Sequence, residues 1–287
     1  MLVNTKKMLN EAKKYSYAIP SPDFINQNMI RSYIEVAEEL KVPALISISE
    51  GLSKYMCLEE AFAISKYYAE KALVPVAIHL DHGKHVEFVK KAVDIGFTSV
   101  MIDASSDNFA ENVRKTKEVV EYAHKYNVTV EAEIGHVGSG INYEDESGDT
   151  TVYTERNDLV EFVKQTNVDS VAVSIGTAHG LYFGTPKINF ERLKELRDAV
   201  SIPLVLHGGS STGDENLRKC AELGISKINI FTDICRAGAI AINDSKTDDY
   251  KLQIEVADKA MKNVLKHYYE VFNCCNKVEV TNGEENY

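Results

Sequence analysis

Short apolar runs of strand type alternate with amphipathic helical stretches along the whole chain, and this alternation limits the fold more than any other feature. The runs are YAIP, PALISIS, PVAIHLD, SVMID, TVEAEIG, SVAVSIG, PLVLHG and KINIFT, eight in all. Between them apolar residues recur at helical spacing, as in Phe109, Val113, Val120 and Ala123, in Val86, Val89 and Val93, and in Leu217, Cys220 and Leu223. Near-continuous apolar strands separated by helices belong to a parallel sheet covered on both faces. Eight such units predict an α/β fold, a closed (β/α)8 TIM barrel. At 287 residues and 44% hydrophobic content the chain suffices for one such barrel. No linker rich in Pro, Gly or Ser breaks the pattern, so the reading is a single barrel domain over 1–287. After the eighth run, Thr232 to Asp244 reads as a helix. A further C-terminal helix is expected at about 251–273, with Val256, Ala260, Val264 and Tyr268 near one face, and the tail 276–287 is expected to be disordered.

A net charge of −11 argues against a nucleic-acid partner, whose grip depends on neutralising phosphates. It does not exclude a small anionic ligand, because charges more than ~8 to 10 Å apart are largely screened at physiological salt. The first seventeen residues, MLVNTKKMLNEAKKYSY, have no long apolar core, and no run approaches the ~18 residues of a membrane span. A cytoplasmic protein with no membrane partner is expected. The five cysteines are scattered and lack CxxC spacing, so neither a disulfide framework nor a cysteine zinc site is indicated.

In barrels the active site lies at the C-terminal strand ends, where polar residues deserve first inspection. The third run ends in Asp81 and His82 and the fourth in Asp103. The fifth carries Glu131 and Glu133 at alternate positions, His179 follows the sixth, His207 ends the seventh, and Asn229 lies in the eighth. Burying such groups is costly unless they are paired or bound to metal. Singly, each histidine reads as a satisfied core or loop residue. Together at one barrel mouth, His82, His179 and His207 match an open zinc site with three protein ligands. Asp103 and Glu133 then read as carboxylates that orient the imidazoles or form a second metal position, or else as ordinary mouth polarity. Of the other histidines, His85, His124 and His267 read as solvated, His79 as a buried supporting residue, and His136 is undecided. The turns HGGSSTG, His207 to Gly213, and NIFTD, Asn229 to Asp233, each lead into a helix and suit either phosphate binding or simple chain reversal.

HLDHG, SVMIDAS, VEAEIG, SVAVSIGTAHG, PLVLHGGSS and KINIFTD, in this order, resemble the class II, zinc-dependent ketose-bisphosphate aldolases, the fructose- and tagatose-bisphosphate aldolase group. The likeness runs over roughly residues 5–272. It implies a lyase that reversibly cleaves a ketose (bis)phosphate to dihydroxyacetone phosphate and an aldehyde. By position it implies zinc on His82, His179 and His207, Asp81 as acid/base, and Asp103 and Glu133 as additional metal-associated carboxylates. Gly180, Gly208, Gly209 and Ser210, with Asn229, Ile230, Phe231 and Thr232, match the family's phosphate and ketose contacts, and Ser49 matches a phosphate-contacting serine. The resemblance further implies a monovalent cation, Na+ or K+, and a homodimer or homotetramer.

Departures from that family cluster at substrate contacts. The acidic positions of its loop after the fifth strand fall on Ile141 and Asn142, leaving Glu144, Asp145, Glu146 or His136 as possible proton carriers, or a merely solvated acidic loop. Asp23 stands where an amide is common, Phe183 where several members have lysine, and Phe231 where a small or polar residue is usual. These changes suit a substrate with one phosphate or none, although Arg236 and Lys54 could supply positive charge. An aldolase for an unphosphorylated or unusual ketose and a non-catalytic sugar-phosphate binding paralogue are the alternatives. A hydrolase using zinc-bound hydroxide is disfavoured, because the first strand lacks HxH and the phosphate-type turns would have no role.

Overall fold

All eight predicted runs are strands of one parallel sheet in the computed structural model, which describes residues 1–139, 153–180 and 186–277. They are β1 (Ile19–Pro22), β2 (Ala44–Ser49), β3 (Val76–Gly83), β4 (Ser99–Ile102), β5 (Thr129–Ile134), β6 (Ser170–Val173), β7 (Leu204–Leu206) and β8 (Ile225–Ile230). Neighbours pair in chain order from β2 to β8, and β8 pairs with β1. The ring closes where the Phe24 N–H donates to the Ser47 carbonyl at 2.9 Å, beside β1 and β2. A short parallel pairing of Gly138–Ser139 with Ala178–His179 links the connections after β5 and β6. Ile141, Asn142, Glu144, Asp145, Glu146, Phe183 and residues 278–287 lie outside the described residues.

Helix α1 (Lys6–Tyr15) precedes the barrel. A helix then follows each strand: α2 (Gln27–Leu40), α3 (Leu58–Lys71), α4 (Val86–Ile95), α5 (Phe109–Ala123), α6 (Arg156–Thr166), α7 (Phe190–Ala199), α8 (Asp214–Leu223) and α9 (Thr232–Ser245). Together with a C-terminal helix, α10 (Tyr250–Val271), this is a (β/α)8 TIM barrel. Asn26, Asn108 and Asn189 cap α2, α5 and α7 by accepting a backbone N–H three residues on, which satisfies a donor the first helical turn leaves open. Among the described residues no helix is long and apolar enough to cross a membrane.

The outer face of the strands is uniformly apolar. Ile78, Leu80, Val100, Ile102, Val130, Ala132, Leu206 and Ile228 join the hydrophobic core beneath the helices. The residues between them point the other way. Ser47, His79, Asp81, Ser99, Glu131 and Lys227 are at most 2% exposed and meet across the barrel. The expectation of strands apolar on both faces therefore holds in part: Met101, Ala172 and Val205 are apolar on the inner face, beside these polar groups. Below, the N-terminal segment closes the barrel, with Thr5 Oγ1 2.7 Å from Thr129 Oγ1.

Helix α10 packs against both α9 and α2. Its buried residues include Met261, Leu265, Tyr268 and Tyr269, whereas Val256, Ala260 and Val264 are half-buried. The stripe is turned from the expected one because a helix lying between two others buries the side facing their groove.

Candidate active site

In a regular strand Asp81 and His82, being adjacent, would face opposite sides of the sheet. Here His82 adopts a left-handed φ of 43°, and the pairing of β3 with β4 slips between Leu80 and Gly83. Both side chains consequently line the barrel mouth. Such backbone strain in a non-glycine residue is tolerated only where the surroundings impose it. Gly83 completes the turn: a Cβ there would lie 2.4 Å from Val89 Cγ2 and 2.5 Å from the Met101 carbonyl oxygen.

His82, His179 and His207 converge from the ends of β3 and β7 and from the segment after β6. His82 Nε2 lies 2.8 Å from His207 Nδ1, and one nitrogen from each of the three rings falls within 4.8 Å of the others. The rings stand edge to face, with centroids 4.4 Å apart for His82 and His207, 4.8 Å for His82 and His179, and 5.8 Å for His179 and His207. A tetrahedral zinc with bonds of ~2.0 to 2.1 Å needs nitrogens about 3.3 Å apart, so the closest pair must open only slightly. Two buried imidazoles and the half-buried His179, with converging nitrogens, fit a divalent ion.

The far nitrogens of His82 and His207 are held by carboxylates, an arrangement that suits metal-ligating histidines. His82 Nδ1 lies 2.8 Å from Asp103 Oδ2. Asp103 also accepts from Ser105 Oγ at 2.8 Å, and that hydroxyl lies 2.9 Å from His136 Nδ1, which ties the undecided histidine to this chain of contacts. His207 Nε2 lies 2.9 Å from Glu131 Oε1. The expected partner Glu133 is instead 4.0 Å from His207 Nδ1. It accepts from the Val137 N–H at 3.0 Å, and burial together with the Asp103 charge pushes its carboxyl up to about 8. His82, Asp103 and Glu133 form a second group with metal-ligand spacing.

Asp81 accepts two hydrogen bonds from Asn229 Nδ2, at 3.0 and 2.9 Å. Burial opposes its charge, but His82 and Lys227 hold its carboxyl well below the usual range. Burial likewise opposes a charged His82, yet Asp81 and Asp103 raise it to about 10 in the metal-free protein. Burial and the neighbouring histidines lower both His179 and His207.

Above this floor lies a cavity of about 540 Å³. Of the residues expected to touch substrate, Ser49, Gly180, Gly208, Ser210, Asn229, Ile230, Phe231 and Thr232 line it, with Asp23 and Arg236 at its wall; Gly209 and Lys54 do not. Ser210 Oγ accepts from the Phe231 and Asp233 N–H groups at 3.2 and 3.3 Å, joining the glycine turn to the start of α9. Ser49 Oγ, Asn229 Oδ1 and Glu133 Oε2 are buried with no hydrogen-bond partner among the described residues.

Lys227 is the participant that sequence reasoning missed. Fully buried on β8, it contacts both oxygens of Glu131 at 3.0 and 2.9 Å and His79 Nε2 at 3.3 Å. The signal was available: it precedes Asn229 by two residues and so shares its face of the strand. His79 is the buried supporting residue expected, with Nδ1 2.8 Å from Ser99 Oγ. The outlying histidines each meet a carboxylate: His85 meets Glu50, His124 meets Asp169 and His267 meets Asp214.

The family model for class-II fructose-bisphosphate aldolase matches residues 3–277. Among solved structures, the chain is similar to the YdjI aldolase from Escherichia coli K12, at 36% identity and a TM-score of 0.88, over 97% of this chain and 100% of that one. It also shares the fold of the fructose-bisphosphate aldolase (Fba) from Campylobacter jejuni, at 22% identity and a TM-score of 0.81, over 96% of this chain and 97% of that one.

Proposed function

The chain belongs to the class-II fructose-bisphosphate aldolase family and is a lyase, and from that premise we propose that it reversibly cleaves a ketose phosphate into dihydroxyacetone phosphate and an aldehyde, using zinc held by His82, His179 and His207. The observation that carries this reading is the convergence of three imidazole nitrogens beside the Asp81 carboxylate. A divalent ion bound there would supply Lewis-acid stabilisation for the negative charge that cleavage leaves on the ketose half.

The chain's own residues supply the rest. Asp81, ionised and aimed by its two hydrogen bonds from Asn229, takes the proton from the hydroxyl of the carbon that becomes the aldehyde. As the C–C bond breaks, its electron pair passes to the ketose fragment, and in synthesis Asp81 returns the proton. Asp103 and Glu131 fix the orientation of His82 and His207. Asp103 and Glu133 offer a second position to the ion. The glycine turn at Gly208, Gly209 and Ser210 and the start of α9 at Thr232 suit a phosphate through the donors not already spent inside the site, as the Gly209 N–H is on the Asn229 carbonyl and those of Phe231 and Asp233 are on Ser210, with Ser49 as a further donor and Gly180 leaving room for it. A monovalent cation beside that phosphate and assembly as a homodimer or homotetramer belong to the same reading.

Asp23 and Phe231 in the cavity wall favour a substrate whose far end carries no phosphate. An unphosphorylated or unusual ketose is therefore the second reading.

A coupled assay for dihydroxyacetone phosphate, run over fructose and tagatose bisphosphates, their monophosphates and free ketoses with and without chelator, tests the proposal. Chelator-sensitive release from one sugar is the expected result. Asp81→Ala should keep the metal but turn over ~10²-fold more slowly or worse, the scale of a positioned acid/base. Zinc binding without cleavage of any ketose would indicate a sugar-phosphate binding protein instead.

A further inference from the structure

Beneath the three histidines lies a second cluster with the same capacity. His79, Asp81 and Glu131 each offer a ligand atom within 4.8 Å of the other two, and all three are at most 2% exposed. Two carboxylates and an imidazole are a competent set for zinc or manganese. Asp81 also lies 3.6 Å from His82 Nε2, so ions in the two clusters would be near neighbours bridged by Asp81, as in two-metal sites where the ions are ~3.5 to 4 Å apart.

The Lys227 ammonium already occupies this second cluster. Its Nζ lies 2.9 and 3.0 Å from the two Glu131 oxygens, 3.3 Å from His79 Nε2 and 3.7 Å from Asp81 Oδ1. An ammonium has three donors and no acceptor. Two go to Glu131 and the third to His79 Nε2, which is then the unprotonated ring nitrogen, its Nδ1–H facing Ser99 Oγ. A metal would need the same oxygens at ~2.0 to 2.2 Å, drawn inward by about 0.8 Å after the ammonium had left. As an ammonium Lys227 cannot ligate an ion, and it already sets one positive charge against the two carboxylates.

We propose that Lys227 is a positioning residue that acts as a built-in cation: it keeps a second metal ion out of the His79, Asp81 and Glu131 cluster and so leaves the Asp81 oxygens free to receive a proton. The inference rests on the metal-dependent reading above. A carboxylate that donates a lone pair to an ion is a weaker base, whereas a neighbouring ammonium leaves Asp81 its oxygens. Through Glu131 the same lysine steadies His207, so the site with one ion is held from below.

The full chain and its Lys227→Met and Lys227→Arg variants are stripped of metal, reloaded with excess zinc, desalted, and analysed for metal per chain by mass spectrometry. Cobalt loading provides a parallel absorption spectrum, and circular dichroism reports folding. The expected ratios are about one for the native chain and Lys227→Arg and about two for Lys227→Met, with kcat for cleavage in the latter lowered tenfold or more. A folded Lys227→Met that stays near one ion per chain overturns the inference. If Lys227→Met is unfolded without metal, recovery of the fold on adding zinc supports it only when the refolded chain holds two ions, because an ion on the three histidines stabilises the fold by itself, and a refolded chain with one ion overturns it. A failure to recover, in Lys227→Met and in the uncharged Lys227→Gln alike, overturns it. A native chain that binds no zinc refutes the metal-dependent reading instead.

Discussion

His82 stands between two carboxylates, 2.8 Å from Asp103 and 3.6 Å from Asp81, and the metal-free protein must keep it charged although it is buried. Burial works against that charge, but the carboxylates prevail and raise its pKa from the ordinary 6.5 of an imidazole to about 10. A group whose folded pKa exceeds its unfolded value stabilises the fold fully below the unfolded value and loses that contribution as pH rises through the folded one. Glu133, pushed up from 4.5 to about 8, acts with the same sign. His179 and His207, held neutral, and Asp81, held ionised, do not titrate in this window. Thermal melts of the metal-free protein should therefore decline from about pH 6.5 to pH 10, and a flat or rising profile would refute the pairing. Zinc affinity should rise over the same range by up to about tenfold per unit, since ligation needs the neutral imidazole. Asp81 and His82 were legible in the sequence because two costly polar groups ending an apolar run demand an explanation. Lys227 was legible only in part: its spacing from Asn229 gives its strand face, but a lysine near a strand start resembles an exposed end, and its partners on β3 and β5 reveal that it is buried. The role of Glu131 was hidden likewise: Glu131 and Glu133 share a strand face, and which one meets His207 depends on where β7 ends.

At the level of elements, the end of β3 carries the tightest constraint. The chain turns through a left-handed His82 into Gly83, whose Cα hydrogens face Val89 and the Met101 carbonyl. Gly83→Ala would force a methyl into that space, so unfolding in urea should show a loss of about 2 kcal/mol or more, as overpacking usually costs. The same variant should retain less zinc, because any shift of the turn carries His82 with it. Equal stability and full metal content would show that β3 and β4 can separate freely there. The eight strands were legible because each needs an apolar outer face against its helices, a local property of every run. The buried side of α10 was not, because α9 and α2 decide it from elsewhere in the chain.

For the molecule as a whole, the barrel is a layer of apolar contacts wrapped around a polar axis that ends in the three histidines. An ion that binds only the folded chain stabilises it by mass action, by about 4 kcal/mol when free metal is a thousandfold above its Kd. Chelation should then lower Tm by on the order of 10 °C, given a few degrees per kcal/mol in proteins of this size. A Tm indifferent to chelator would count against the triad. The closed bottom of the barrel has a consequence of another kind. Thr5, Thr129 and Ser99 plug it, and His79, Glu131 and Lys227 fill the space above them, so nothing passes through the axis. The cavity is a blind well. Whatever enters it must leave by the same mouth. That single opening is built into the way the strands close at the bottom.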